Sequence, residues 1–327
     1  MKPAMKSIYG LAGIALALAA AAGALGQADY PDRSIRILVG FPPGGPPDVA
    51  ARLLADKFSD AWGKSVVVEN MTGGGGNIAV DRVAKAAPDG YTLLMASNAI
   101  VINPSLYDKL PYDAIKDLAP ASLAVAMPII LVVNNDVPAR DMRQLVELAR
   151  ARPGRLTFGH AGIGTPAQLA GELFKAKAGV DVQPIPYRGM PPVVPDLLAG
   201  RIDMAFPNIS VVLALVREGK VRPLAVTSPR RAAAVPEVPT MAEAGFPGVH
   251  ANAWFGLMAP AGTPSAIIDK LSREAARVLA AADARKRLDE LGMEVIASTP
   301  AEFATVIASE TAQWAKLIKD AGIKINE

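Results

Sequence analysis

Two stretches bring small, backbone-baring residues directly before a helix-like segment: "RILVGFPPGGPPDVAARLL" at 36–54 and "LTFGHAGIGTPAQLAGELF" at 156–174. Main-chain N–H groups in such turns, and the positive end of the helix that follows, attract small anions. A nucleotide phosphate and a carboxylate are the two obvious candidates. The first loop spaces Gly40 and Gly45 as a phosphate loop would, but Pro46 stands where lysine is required and Pro47 where serine or threonine is required. In the second loop Gly162 and Gly164 supply two glycines of a dinucleotide fingerprint, and Ala167 stands in place of the third. An anion smaller than a nucleotide fits both loops better.

The remaining chemistry-bearing residues are sparse. His160 and His250 are the sole histidines, and neither a zinc-protease HExxH nor a nucleophile-elbow GxSxG occurs. His160 sits in the second glycine loop, where it either lines a cleft or hydrogen-bonds within the loop. "MASNAIVINPSLY" puts Ser97 and Asn98 at a strand's carboxyl end, facing the cleft, and "PYRGMPPVVPDLLAGRIDMAFPN" supplies Tyr187, Arg188, Asp203 and Asn208. Arg188 is either a partner for a carboxylate or a surface ion pair. Asp203 either orients a loop or accepts a hydrogen bond from a ligand. "ENMTGGGGNIAV" is either a third backbone approach to a ligand or a plain turn before a helix. Trp62, Trp254 and Trp314 read as core.

Strands and helices alternate behind these loops. Short Val, Ile and Leu runs bounded by Gly, Pro or Asn predict strands at 34–41, 65–69, 91–96, 156–159, 181–187, 202–206 and 222–227. Three- and four-residue apolar spacing predicts helices at 47–62, 142–151, 166–178 and 193–199. The class is α/β, with mostly parallel sheets flanked by helices. Two further apolar strands, in "PIILVVNNDVPARDMRQL" and "WFGLMAPAGTPSAIIDKL", suit a chain that leaves one lobe, builds another and returns. This places one lobe at 29–130 plus 254–327 and the other at 131–253, with the crossing strands as hinge. The lobes echo each other: aligning Gly45 with Gly164 sets Pro47 opposite Pro166, each proline suiting a first helical turn. Thr165 is a good N-cap. Each loop then lies at the carboxyl edge of its sheet, where open α/β sheets bind ligands.

Composition narrows the class further. The chain has 327 residues, 51% hydrophobic and 20% charged, with a net charge of +3. Lys2 and Lys6 lie in an acid-free leader, "MKPAMKSIYGLAGIALALAAAAGALGQADYP", which leaves +1 for the remainder and no case for nucleic acid. The leader reads as a signal peptide cleaved after Ala28, with an uncleaved membrane anchor as its rival. There is no cysteine, hence no disulfide and no thiolate metal site. The periplasm of a bacterium is the expected compartment.

The two glycine loops, with "VVVENMTGGGGNIA", "APDGYTLLMAS", "NPSLYDKLPYD", "PYRGMPPVVPDLLAGRIDMAF", "RPLAVTSPRR", "PTMAEAGFPG" and "WFGLMAPAGTP", occur in an order that resembles the Bug-type substrate-binding proteins of tripartite tricarboxylate transporters. The resemblance runs over essentially the whole mature length. It implies a two-lobed Venus-flytrap receptor of type II that closes on a small organic carboxylate and delivers it to integral-membrane permease subunits, without cofactor or catalysis. It further implies that one carboxylate is held between a first loop carrying Phe41, Pro43, Gly44, Gly45 and Asp48 and a second carrying Gly162, Gly164, Thr165 and Gln168. Asn98, Arg188, Asp203 and Asn208 would then read the rest of the ligand, a dicarboxylate or an aromatic carboxylate. Two features depart from the family pattern. Thr165 and Gln168 stand where Ser and His are common, and Pro43 precedes the glycine pair where Ala is common, which stiffens the loop. Two other roles remain open from the sequence: presenting the loaded receptor to a membrane sensor kinase, and a periplasmic enzyme using His160 with Asp203.

Overall fold

The computed structural model describes residues 30–187, 190 and 192–323. The leader at 1–28 and Arg188 lie outside the described residues. In chain order the elements are β1 (Ile35–Val39), α1 (Pro46–Trp62), β2 (Val66–Asn70), α2 (Asn77–Ala84), β3 (Thr92–Ser97), α3 (Ala99–Ile102), β4 (Leu118–Met127), β5 (Ile130–Val133), α4 (Met142–Ala151), β6 (Thr157–His160), α5 (Pro166–Ala178), β7 (Gln183–Pro186), α6 (Val193–Leu198), β8 (Met204–Ala205), α7 (Ile209–Arg217), β9 (Arg222–Val226), β10 (Ala253–Pro260), α8 (Ser265–Ala280), α9 (Ala282–Glu290), β11 (Glu294–Val295) and α10 (Pro300–Asp320).

Local chemistry sets the helix ends. α1 begins at Gly45 with prolines in its first turn and stops at Gly63, whose φ of 62° lets its amide return to the Ser59 carbonyl. Thr165 caps α5 by accepting from the Gln168 amide, and Gly179 ends that helix in the left-handed region. Thr299 and Glu302 form a reciprocal capping box at the start of α10.

Among the described residues eleven strands build two sheets, ordered β11-β4-β10-β3-β1-β2 and β7-β6-β8-β5-β9. The expectation of mostly parallel sheets needs correction, because both are mixed. β1 is parallel to β2 and β3, whereas β10 is antiparallel to β3 and β4, and β11 to β4. In the second sheet β6 is parallel to β7 and β8, while β5 is antiparallel to β8 and β9. Each of these antiparallel pairs includes a strand at a passage between the sheets, β4, β5 or β10. β4 turns directly into β5 at Pro128 and Ile129, so the chain enters the second sheet with no crossover helix to make its first strand parallel. β4 falls outside the strands expected from sequence, since the one proline and four alanines of "LAPASLAVAM" dilute a strand pattern.

One core cluster runs through both sheets, joining Leu38 and Leu94 of the first to Leu131 and Phe158 of the second. α10 packs on β4 and α3 and also touches α5. Trp254 and Trp314 are buried, and Trp62 lies over Phe58 with ring centroids 4.5 Å apart. Both buried indoles point their Nε1–H at one carboxylate oxygen of Glu310, at 2.8 Å from Trp254 and 3.3 Å from Trp314. Burial pushes the Glu310 carboxyl above its ordinary value, against the opposing effect of the two indole donors. The ionised form is therefore the costly one in the fold, and stability falls as pH rises through the raised pKa. Glu310→Gln, which keeps the acceptor and drops the charge, is expected to melt higher than wild type at pH 8 and level with it at pH 4 in calorimetry.

Candidate functional site

The β1–α1 loop and the β6–α5 loop are built alike. The Gly45 amide donates to the Pro42 carbonyl at 3.4 Å, and the Thr165 amide to the Gly162 carbonyl at 3.4 Å. The third residue of each turn is a glycine with positive φ, Gly44 at 80° and Gly164 at 74°, as a type II turn requires. Gly44 donates to Asp48 Oδ2 at 2.9 Å, and Gly164 to Gln168 Oε1 at 2.7 Å. The structural repeat therefore pairs Gly44 with Gly164, the N-caps Gly45 with Thr165, and Pro46 with Pro166. This is one residue away from the Gly45–Gly164 alignment expected from sequence, because the helix N-caps, and not the most similar letters, occupy the same place.

These turns spend many of their own amides. A helix start leaves up to four N–H groups without intrahelical partners. In α1, Pro46 and Pro47 have none and Gly45 uses its own, which leaves Asp48. In α5, Pro166 has none, Thr165 and Gln168 are engaged, and Ala167 is left. Asp48 is buried and also accepts from Arg52 Nε and Nη2 and from Asn70 Nδ2 at 2.9–3.0 Å. Burial alone would raise its carboxyl, but Arg52, the Gly44 amide and Asn70 together hold it at about 2.

A cavity of about 300 Å³ opens between the two loops. Phe41, Pro46 and Pro47 line it from the first loop, and Ile163, Gly164, Thr165 and Pro166 from the second. Ser97, Asn98 and Asn208, each just past a strand's carboxyl end or at its last residue, also line it. So do Gly75 of the third glycine cluster and a wall of Ile102, Asn103, Leu106 and Tyr107. Gly75 reaches it because the glycine-rich turn packs against the first loop, where a Cβ on Gly40 would meet Gly76 Cα at 2.7 Å. Ala253 and Phe255 complete the lining from β10. They are two residues apart and so share one face of the strand, with Trp254 on the other, a period that was readable in "WFGLMAP". No charged side chain lines the cavity among the described residues.

Of the sequence-predicted site residues, the structure brings Phe41, Asn98, Gly164, Thr165 and Asn208 to this cavity. Pro43, Gly44, Gly45, Asp48, Gly162 and Gln168 form and brace the two turns behind it. His160 is buried at the end of β6, where the second loop begins, with Nδ1 3.1 Å from the Gly162 carbonyl, and burial pushes its pKa below the ordinary value. Asp203 lies elsewhere: its Oδ2 accepts from the Thr157 amide at 2.8 Å and hydroxyl at 2.9 Å. Thr157 opens β6 and His160 closes it, so Asp203 sits at the far end of the strand from the loop. Its expected place in the cleft is corrected, and His160 and Asp203 form no pair. Leu106, Tyr107 and Asn103 were missed as lining residues because no periodicity marks a cavity wall built from a turn.

The family model described as "Tripartite tricarboxylate transporter family receptor" matches residues 50–323. The chain belongs to this family of Bug-type receptors. It is similar to BugT of Bordetella pertussis, 37% identical over 98% of this chain and 99% of that one. It is also similar to the solved structure of R. palustris Rpa4515 with adipate, 35% identical with a TM-score of 0.76 over 90% of this chain and 100% of that one. MatC from Rhodopseudomonas palustris with bound malate is 33% identical, with a TM-score of 0.71 over 88% of this chain and 100% of that one. The receptor is thus a solute-binding protein of two-lobed α/β fold, and its task is binding and not turnover.

Proposed function

We propose that the receptor binds a small organic carboxylate in the cavity between the two glycine loops and delivers it to integral-membrane permease subunits of a tripartite transporter in the periplasm, after loss of residues 1–28. The observation that carries this reading is the convergence of two matching turns and two helix starts on one cavity. Adipate and malate, seen with related receptors, support the ligand class. With no cation among the described lining residues, the acid group is held by the positive ends of α1 and α5, while the Thr165 hydroxyl spends its one proton on the Gly162 carbonyl and braces the second turn. Asn98 and Asn208, which line the same cavity, are the candidates to read the distal part of the ligand. Arg188, beside Tyr187 in the chain, is retained as a candidate for the same role.

The two sheets act as lobes. The first takes its strands from 35–127 and 253–295 and the second from 130–226, so the proposed lobes, 29–130 plus 254–327 and 131–253, meet at the crossings near 128–129 and 252–253. A ligand touching both lobes favours the closed form by its differential affinity for it. Binding is expected to raise the melting temperature, with about 2.7 kcal/mol of stabilisation at a hundredfold excess over the Kd. A thermal-shift screen of mono-, di- and aromatic carboxylates, with adipate and malate included and the corresponding amides as controls, tests this. A melting temperature unmoved by every acid defeats the reading.

A further inference from the structure

Both crossings between the sheets converge on one buried hydroxyl. Thr227 follows β9 and is 0% exposed. Its amide donates to the Ile129 carbonyl at 2.9 Å, in the first crossing. Its Oγ1 lies 3.2 Å from that same carbonyl, 3.2 Å from the Ala251 carbonyl and 3.1 Å from Asn252 Oδ1, the last two in the return crossing. A hydroxyl has one proton, so it satisfies one of these three acceptors at a time and changes partner by turning its O–H about the Cβ–Oγ1 bond. The main chain of Thr227 is tied to one crossing while its side chain can follow the other through a change of angle without leaving a buried donor unpaired, which would cost free energy.

The same return crossing is held from the cavity side. Asn98 lines the cavity and is buried, and its Nδ2 donates to the Asn252 main-chain carbonyl at 2.9 Å. One residue, Asn252, thus separates a ligand-facing amide from the hydroxyl at the crossings. Asn208, which also lines the cavity, is bridged to Ile129, so the first crossing is likewise one step from the ligand.

We propose that Thr227 is the pin of the interlobe hinge and that Asn98 is a positioning residue coupling cavity occupancy to it through Asn252. The inference rests on the receptor reading, since it concerns how closure follows binding. A ligand that draws on the Asn98 amide changes its hold on the Asn252 main chain, the return crossing shifts against Thr227, and the Thr227 hydroxyl turns to whichever of its three acceptors stays in reach.

Hydrogen exchange on ligand-free protein tests the relay without reference to any ligand. Thr227→Val, which keeps shape and removes the hydroxyl, is expected to speed exchange roughly tenfold in peptides covering 129–130 and 251–253, and Thr227→Ser is expected to restore the wild-type rate. Asn98→Ala should speed exchange in peptides covering 251–253 and 227. Faster exchange confined to 97–99 in Asn98→Ala overturns the coupling. If Thr227→Val fails to fold, the Asn98→Ala result still decides. In titrations with adipate, each single variant should weaken binding about five- to tenfold, and the double variant little more than either alone, because both cut one path. Full additivity overturns the relay, whereas adipate failing to bind wild type speaks against the carboxylate reading and leaves the exchange result to decide the hinge.

Discussion

Gly164→Ala should weaken carboxylate binding by at least tenfold, about 1.4 kcal/mol, while lowering stability by about 1 kcal/mol. The two losses have separate causes. Gly164 has a φ of 74°, a conformation that penalises any Cβ, and the turn keeps that conformation whether the lobes are apart or together. This share appears as a lower melting temperature with and without ligand. The second share belongs to closure alone. A Cβ on Gly164 would lie 2.3 Å from Leu106 Cδ1 and 4.0 Å from Ile102 Cγ2, and Leu106 and Ile102 belong to the other proposed lobe. The methyl group therefore stands where the lobes meet and raises the free energy of the closed form selectively. In a Leu106→Ala background the same substitution should leave affinity unchanged and still lower the melting temperature. Isothermal titration and calorimetry on the two singles and the double variant check both halves. Equal affinity loss in both backgrounds would show that the clash is not what limits closure.

Asp48→Ala should cost about 3 kcal/mol of stability and loosen the first loop. The side chain is 2% exposed and accepts from Gly44, Arg52 and Asn70, so its removal strands an amide, a carboxamide and half of an ion pair. The loop it braces supplies Phe41, Pro46 and Pro47 to the cavity, so ligand affinity falls together with stability. The carboxyl stands at about 2 in the folded protein against 3.8 ordinarily. A depressed pKa gives stability that is present above the unfolded value and is lost as pH falls through the folded one. Wild type should therefore lose about 2 kcal/mol between pH 4 and pH 2 through this group. Asp48→Asn should start lower and show that much less acid sensitivity. Denaturant melts at pH 7, 4 and 2 measure the difference. Parallel pH curves for wild type and Asp48→Asn would mean that the carboxylate is not ionised to advantage in the fold.

The paired turns show how local and global information divide in this chain. Their sequence signals are strong, because proline fixes φ at a helix start and glycine alone tolerates the third turn position, so the loops, their helices and the anion-attracting chemistry are legible from residues 36–54 and 156–174. The register between the two copies is not legible. A one-residue shift hardly changes the letter match, while the N-cap hydrogen bonds that fix it appear only when each strand meets its helix. Asp48 and Gln168 read as possible ligand contacts for the same reason: a buried side-chain oxygen bracing an amide and one offered to a ligand are the same atoms in a sequence.

The mixed sheets and the cavity wall depended on long-range pairing. Helix–strand alternation predicts parallel neighbours wherever a helix makes the crossover, and that holds for β1, β2 and β3 and for β6, β7 and β8. It fails where the chain passes between sheets on a two-residue link, as at Pro128 and Ile129. Leu106 and Tyr107, Ala253 and Phe255 reach the cavity from segments about 150 residues apart, and Asp203 leaves it because β8 pairs with β6 in a register that sets it beside Thr157.

The sequence by itself determined the α/β class, the helix and strand positions near the site, the family, and the two glycine loops whose helix ends the proposal assigns to an acid group, because these follow from local φ preferences, apolar period and motif order. Tertiary structure alone decided which polar groups line the cavity, which brace the turns, and which hydrogen bonds join the two crossings. Each of those is settled by contacts between residues far apart in the chain, whose distances no local pattern encodes.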